Sequence, residues 1–121
     1  MLDSWIHIPL LRAPVVAPSR KGGVYLIARV DRRLGIPRNL EPLYVGRTAR
    51  GFSTRLGEHS DVLRSHNPRL AEYLATADLS TVEFWFKVIP PSAQALAERE
   101  LIRELDPLFN IVKPRKRLER Q

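Results

Sequence analysis

The chain has 121 residues, enough for one hydrophobic core and too few for two. Its 44% hydrophobic and 27% charged residues describe an ordinary globular composition, and the absence of cysteine excludes disulfides and thiolate metal sites. Twenty lysines and arginines against thirteen acids give a net charge of +7, which points to a polyanionic partner. The excess is concentrated. Arg29, Arg32, Arg33, Arg38, Arg47, Arg50 and Arg55 face only Asp31 and Glu41 across the same stretch, and Lys113, Arg115, Lys116, Arg117 and Arg120 crowd the end. His7, His59 and His66 lack close ligand spacing, so a structural zinc is not expected. No run is long enough to span a membrane. Trp5 to Leu11 is broken by Pro9 and lacks a basic flank, so no signal peptide is expected and the reading is a cytoplasmic protein.

Residues 1–21 carry Pro9, Pro14 and Pro18 with no helical period, which predicts an extended arm holding at most a short edge strand near Trp5 to Ile8. The folded part is expected over residues 22–112, with a basic tail over 113–121. Val24 to Ile27 and Leu43 to Val45 read as strands, being β-branched, aromatic and aliphatic between Gly22-Gly23, Pro42 and Gly46. Paired as a hairpin, they put Tyr25 and Tyr44 on one face, where Gly46 lets a backbone or a ligand phosphate come close. The Arg-, Gly- and Pro-rich stretch from Asp31 to Glu41 reads as a long connecting loop.

Helices follow. Ser53 is a candidate cap for one over Thr54 to Ser65, which sets Arg55 and His59 one turn apart, and Asn67-Pro68 starts another that runs to about Thr76. Thr81 to Ile89 alternates Val82, Phe84, Phe86 and Val88 against Glu83, Trp85 and Lys87, the pattern of a strand. Ser92 caps a last helix to Leu105, stopped by Asp106-Pro107. The expected architecture is α+β, a three-stranded antiparallel sheet flanked by helices in the order β-β-α-α-β-α.

In the last helix Ala95, Glu98, Leu101, Ile102 and Leu105 form the inward stripe, while Arg99, Glu100, Arg103 and Glu104 make an ordinary charged outer face. Glu98 is therefore an acid on an apolar stripe, costly unless a metal or a cation such as Arg47 or Arg55 pairs with it. Taken singly, strand tyrosines are usually core residues with a satisfied hydroxyl, and Asn110 would be a loop-ordering amide.

Five elements in order nevertheless resemble the GIY-YIG nuclease superfamily. They are Gly23-Val24-Tyr25, then Tyr44-Val45-Gly46 with Arg47-Thr48, then Phe52 to His59 around Arg55, then Glu98-Arg99-Glu100-Leu101-Ile102, then Pro107-Leu108-Phe109-Asn110. The resemblance covers roughly residues 22–111. It implies an endonuclease hydrolysing phosphodiester bonds, most directly in DNA, with one Mg²⁺ or Mn²⁺ ion held by Glu98. Tyr25 would act as base or position the water. Tyr44 and Arg55 would polarise the phosphate, His59 would assist a tyrosine's proton, and Gly46, Arg47, Arg50 and Asn110 would bind substrate or order the site. One such site cuts one strand, so duplex cleavage would need a homodimer or two visits. The alternative from another class is a nucleic-acid-binding module on the same fold without turnover.

Overall fold

A computed structural model of the chain describes residues 4–53 and 67–110. The expected helix over Thr54 to Ser65, with Arg55 and His59, lies outside them, as does the basic tail. Four strands form one antiparallel sheet: β1 (Ile6–Pro9), β2 (Gly23–Arg33), β3 (Ile36–Thr48) and β4 (Val82–Val88), in the spatial order β1-β4-β2-β3. Among the described residues the complete helices are a single turn α1 (Ala13–Val16), α2 (Pro68–Thr76) and α3 (Pro91–Leu105), with 3₁₀ turns at Leu10–Arg12 and Leu79–Thr81.

The sheet has four strands rather than the expected three. Ile6 to Pro9 lies in register against Phe86 to Glu83, and Leu10, Ala13 and Ala17 are buried behind it. The pairing is long-range, so no local periodicity announces it. Asp31 to Glu41 is likewise not a loop. β2 and β3 run on together to a two-residue turn at Leu34-Gly35, both with positive φ (54° and 82°), the primed geometry that matches strand twist. The prolines that suggested a loop sit on the outer strand, where a missing N–H costs no ladder bond, and irregularities at Ile27/Ala28 and Asp31/Arg32 absorb them.

Both faces of the sheet are covered. On one, Tyr25, Ile27, Leu43, Phe52, Leu70, Phe84, Phe86 and Phe109 pack together. On the other, Val24, Leu26, Val45, Trp85 and Leu101 pack with Ala97, Ile102 and Leu105 of α3. Phe52 and Phe84 are fully enclosed, and each such side chain contributes roughly 1.5–3 kcal/mol of burial.

The caps refine the sequence reading. Asn67 caps α2 as expected, accepting from the Leu70 amide at 3.1 Å. α3 begins earlier than Ser92, with Pro90 at the N-cap and Pro91 in the first turn. Its inward face carries buried Gln94, whose amide donates to the Ile89 carbonyl at 2.9 Å, while Ala95 is exposed. Ser53 is already helical, so it is not the cap, and its hydroxyl donates to the Pro14 carbonyl.

Candidate active site at the edge of the sheet

Strand β3 is the outer strand, and its residues Tyr44 to Arg47 organise the site. Tyr25 lies opposite Gly46 in the ladder, and Tyr44 opposite Ile27, so both phenols stand on the Phe84 face with ring centroids 6.3 Å apart. Tyr25 is buried and also packs on Phe84 at 5.3 Å. Its hydroxyl lies directly over Gly46: a Cβ there would fall 2.5 Å from the Tyr25 oxygen and 3.0 Å from Cε2 of Tyr44. Glycine is required because the phenol crosses the strand where a side chain would stand.

Alternation sends Val45 and Arg47 to the opposite face, beneath α3. There Nε of Arg47 lies 3.4 Å from the Glu98 carboxylate. The Glu98 side chain is 25% exposed and that of Arg47 48% exposed. Burial pushes the Glu98 carboxyl above the usual carboxylate range, and the Arg47 charge only partly opposes it. The inward carboxylate is thus real, and the pairing with Arg47 anticipated from the stripe is present. Phenols and acid leave the sheet from opposite faces at neighbouring residues of its outer strand: Tyr25 and Tyr44 at Gly46, and Glu98 at Arg47.

The chain end closes that edge. Asp106 adopts a left-handed conformation (φ 47°) as the C-cap of α3, which its short polar side chain tolerates, and Pro107 prevents continuation. The chain then turns onto β3: the Leu108 amide donates to the Pro42 carbonyl and the Phe109 amide to the Leu43 carbonyl. Asn110 completes the ladder with its side chain. Its Oδ1 accepts from the Val45 amide at 2.8 Å and its Nδ2 donates to the Val45 carbonyl at 2.9 Å. Buried Asn67 anchors the same segment from the other side, donating to the Phe109 carbonyl at 2.7 Å. The sequence reading found Asn67 as a cap and missed this second bond, because an N-cap pattern carries no signal for a partner 42 residues away.

Asn110→Ala is expected to lower stability by about 2 kcal/mol, two hydrogen bonds at about 1 kcal/mol each, read as a lower urea midpoint. Asn110→Asp should not rescue it, because a carboxylate has no proton for the Val45 carbonyl.

Arg50 follows β3 in a turn where its amide donates to Thr48 Oγ1 at 3.2 Å, so it leaves the strand close to Arg47. Arg55 and His59 fall outside the described residues. Among the described residues no three acidic or histidine groups cluster to form a metal cage. Among the described residues of this edge, Glu98 is a carboxylate that could ligate a divalent cation. It is a partly desolvated carboxylate with incomplete charge compensation, and a hard ion there would keep its other positions for waters and substrate oxygens.

No protein-family model matches the chain, and no curated protein matches it in sequence. Solved structures do. Two crystal structures of the GIY-YIG N-terminal endonuclease domain of UvrC from Thermotoga maritima, point mutants bound to the catalytic divalent cation, align at 21% and 20% identity. Each gives a TM-score of 0.53 over 84% of this chain and 94% of the other. No helix among the described residues is long and apolar enough to cross a membrane. With its antiparallel sheet, the Gly23-to-Tyr25 and Tyr44-to-Gly46 strands paired and Glu98 on the closing helix, the chain has a GIY-YIG-like fold.

Proposed function

We propose that this chain is a divalent-metal-dependent endonuclease that hydrolyses phosphodiester bonds in DNA at the outer edge of β3. The observation that carries the reading is the placing, at adjacent residues of one outer strand, of two phenols against Gly46 on one face and a partly desolvated carboxylate against Arg47 on the other. The likeness to UvrC endonuclease domains bound to a divalent cation agrees with it.

A cation held by Glu98, Mg²⁺ or Mn²⁺ by its preference for oxygen, would neutralise charge on the non-bridging and leaving oxygens. The chain's own groups do the rest. Tyr25, fixed over Gly46 by Phe84, receives or orients the proton of the attacking water; with a reference pKa near 10 a phenol needs a basic partner for this, the role proposed for His59. Tyr44 and Arg55 hold and polarise the phosphate. Arg47 touches Glu98 through one nitrogen, so its remaining donors can bind a phosphate oxygen, and Arg50 and the Asn110-braced edge complete the binding surface.

Supercoiled-plasmid nicking in Mg²⁺ tests the proposal. The wild-type chain is expected to produce nicked circles and to stop on chelation, and Tyr25→Phe to cut about 10²-fold more slowly or worse. A chain that retains DNA in a salt-dependent way without ever nicking it would overturn hydrolysis in favour of a binding module.

A further inference from the structure

The β2–β3 hairpin outruns the sheet. The last β2–β4 pair is Arg29 with Val82, and beyond it Val30 to Arg33 pairs only with the strand running from Ile36 to Leu40. Four residues at about 3.3 Å each carry this ribbon roughly 13 Å past the sheet.

A two-stranded ribbon alone is marginal, and this one is braced. Arg32 makes a two-point ion pair with Glu83 (Nε to Oε2 2.6 Å, Nη2 to Oε1 3.0 Å), and its Nη1 donates to the Gly35 carbonyl at 2.7 Å. Trp85 Nε1 donates to Glu83 at 3.1 Å, and the His7 ring stacks on Trp85. At the base, Arg29 pairs with Glu41.

What the brace presents is not a polar turn. Leu34 is 100% exposed in a left-handed conformation that asparagine or glycine would adopt with less strain, and Ile36 is 65% exposed. Arg33 and Arg38 flank them, both exposed, and neither has an ion-pair partner among the described residues. A strained, solvent-facing leucine on a rigid support between unpaired cations suits a duplex better than bulk water, since apolar wedges enter base steps while arginines take the adjoining phosphates.

We propose that the β2–β3 ribbon is a nucleic-acid wedge: Leu34 enters a base step of duplex DNA, and Arg33 and Arg38 clamp the flanking phosphates. The proposal rests on the nucleic-acid half of the function proposed above, not on hydrolysis. It is tested with the full chain in EDTA, so that binding is read without cutting.

Permanganate reactivity of thymines should rise when the wild-type chain binds duplex DNA. Leu34→Asn supplies the Asn-Gly dipeptide that the turn favours, so its Tm should be unchanged or higher while the thymine reactivity falls to that of free duplex. Replacing Arg33 and Arg38 together with glutamine should make log K against log salt shallower by about 1.8, two phosphates at about 0.9 each. An unchanged salt slope in that double variant, persistent reactivity with Leu34→Asn, or no rise with the wild-type chain would overturn the wedge. The two proposals fail separately. A chain that unstacks thymines but never nicks plasmid sinks hydrolysis, and one that nicks while the ribbon variants bind like wild type sinks the wedge.

Discussion

Glu98→Gln is expected to abolish DNA cleavage, by about 10³-fold or more, while leaving the fold intact or slightly more stable. The activity loss follows from the several kcal/mol that a metal-held charge supplies to a phosphoryl transition state, at tenfold per about 1.4 kcal/mol. The stability gain follows from burial. Desolvation raises the Glu98 carboxyl against the partial opposition of Arg47, so the native state keeps its proton to higher pH than the unfolded chain does. Stability therefore falls as pH rises from the ordinary carboxylate value to the raised one, and above that window the native chain carries an uncompensated cost. Glutamine removes the titration. Urea midpoints for wild type should drop across that acidic window and those for Glu98→Gln should not. A variant markedly less stable than wild type at neutral pH would mean that the Arg47 pair is a structural salt bridge and the carboxylate no functional group.

Gly46→Ala should damage fold and activity together. The new methyl falls 2.5 Å from the Tyr25 oxygen and 2.6 Å from its Cζ, closer than real Cβ atoms come, and a tight 3.0 Å from Cε2 of Tyr44. Tyr25 cannot simply swing away, because it is buried and packed on Phe84 at 5.3 Å. Overpacking of this kind costs about 1–3 kcal/mol, and a phenol displaced by about 1 Å can lose 10²-fold in rate. Cleavage rate and urea midpoint report the two effects. Gly35→Ala, at the hairpin tip where nothing lies within 4 Å, separates backbone strain from overpacking: it strains a turn at φ 82° without touching the phenols, so it should lower the urea midpoint while leaving the Tyr25 and Tyr44 ring signals in place.

Much of this arrangement is legible in the sequence because it is local. Alternation in Val24 to Ile27 and in Leu43 to Val45, with the two runs paired as a hairpin, puts Tyr25 with Tyr44, as found. The helical stripe of α3 places Glu98 inward three residues before Leu101, as found. What escapes is long-range or double-edged. Gly35, Pro37 and Pro42 punctuate loops, but the same residues serve a two-residue turn and an outer strand, so 31–41 reads as loop and folds as ribbon. The short edge strand expected near Trp5 to Ile8 is present as Ile6–Pro9, but its place in the sheet comes from the long-range pairing with β4, which makes the strands four rather than three. The contact of Arg47 with Glu98 crosses the helix–sheet interface, and spacing suggests it only as one of two choices beside Arg55.

Paramagnetic broadening by Mn²⁺ tests the central claim most directly. Substoichiometric Mn²⁺ added to the isotope-labelled wild-type chain should broaden the Glu98 signals together with the Tyr25 and Tyr44 ring signals and the Gly46 and Arg47 amides, ahead of the rest of the chain, and Glu98→Gln should erase that pattern. Broadening that spares both tyrosines, or that survives unchanged in Glu98→Gln, would contradict a single metal-dependent site gathered at the outer edge of β3.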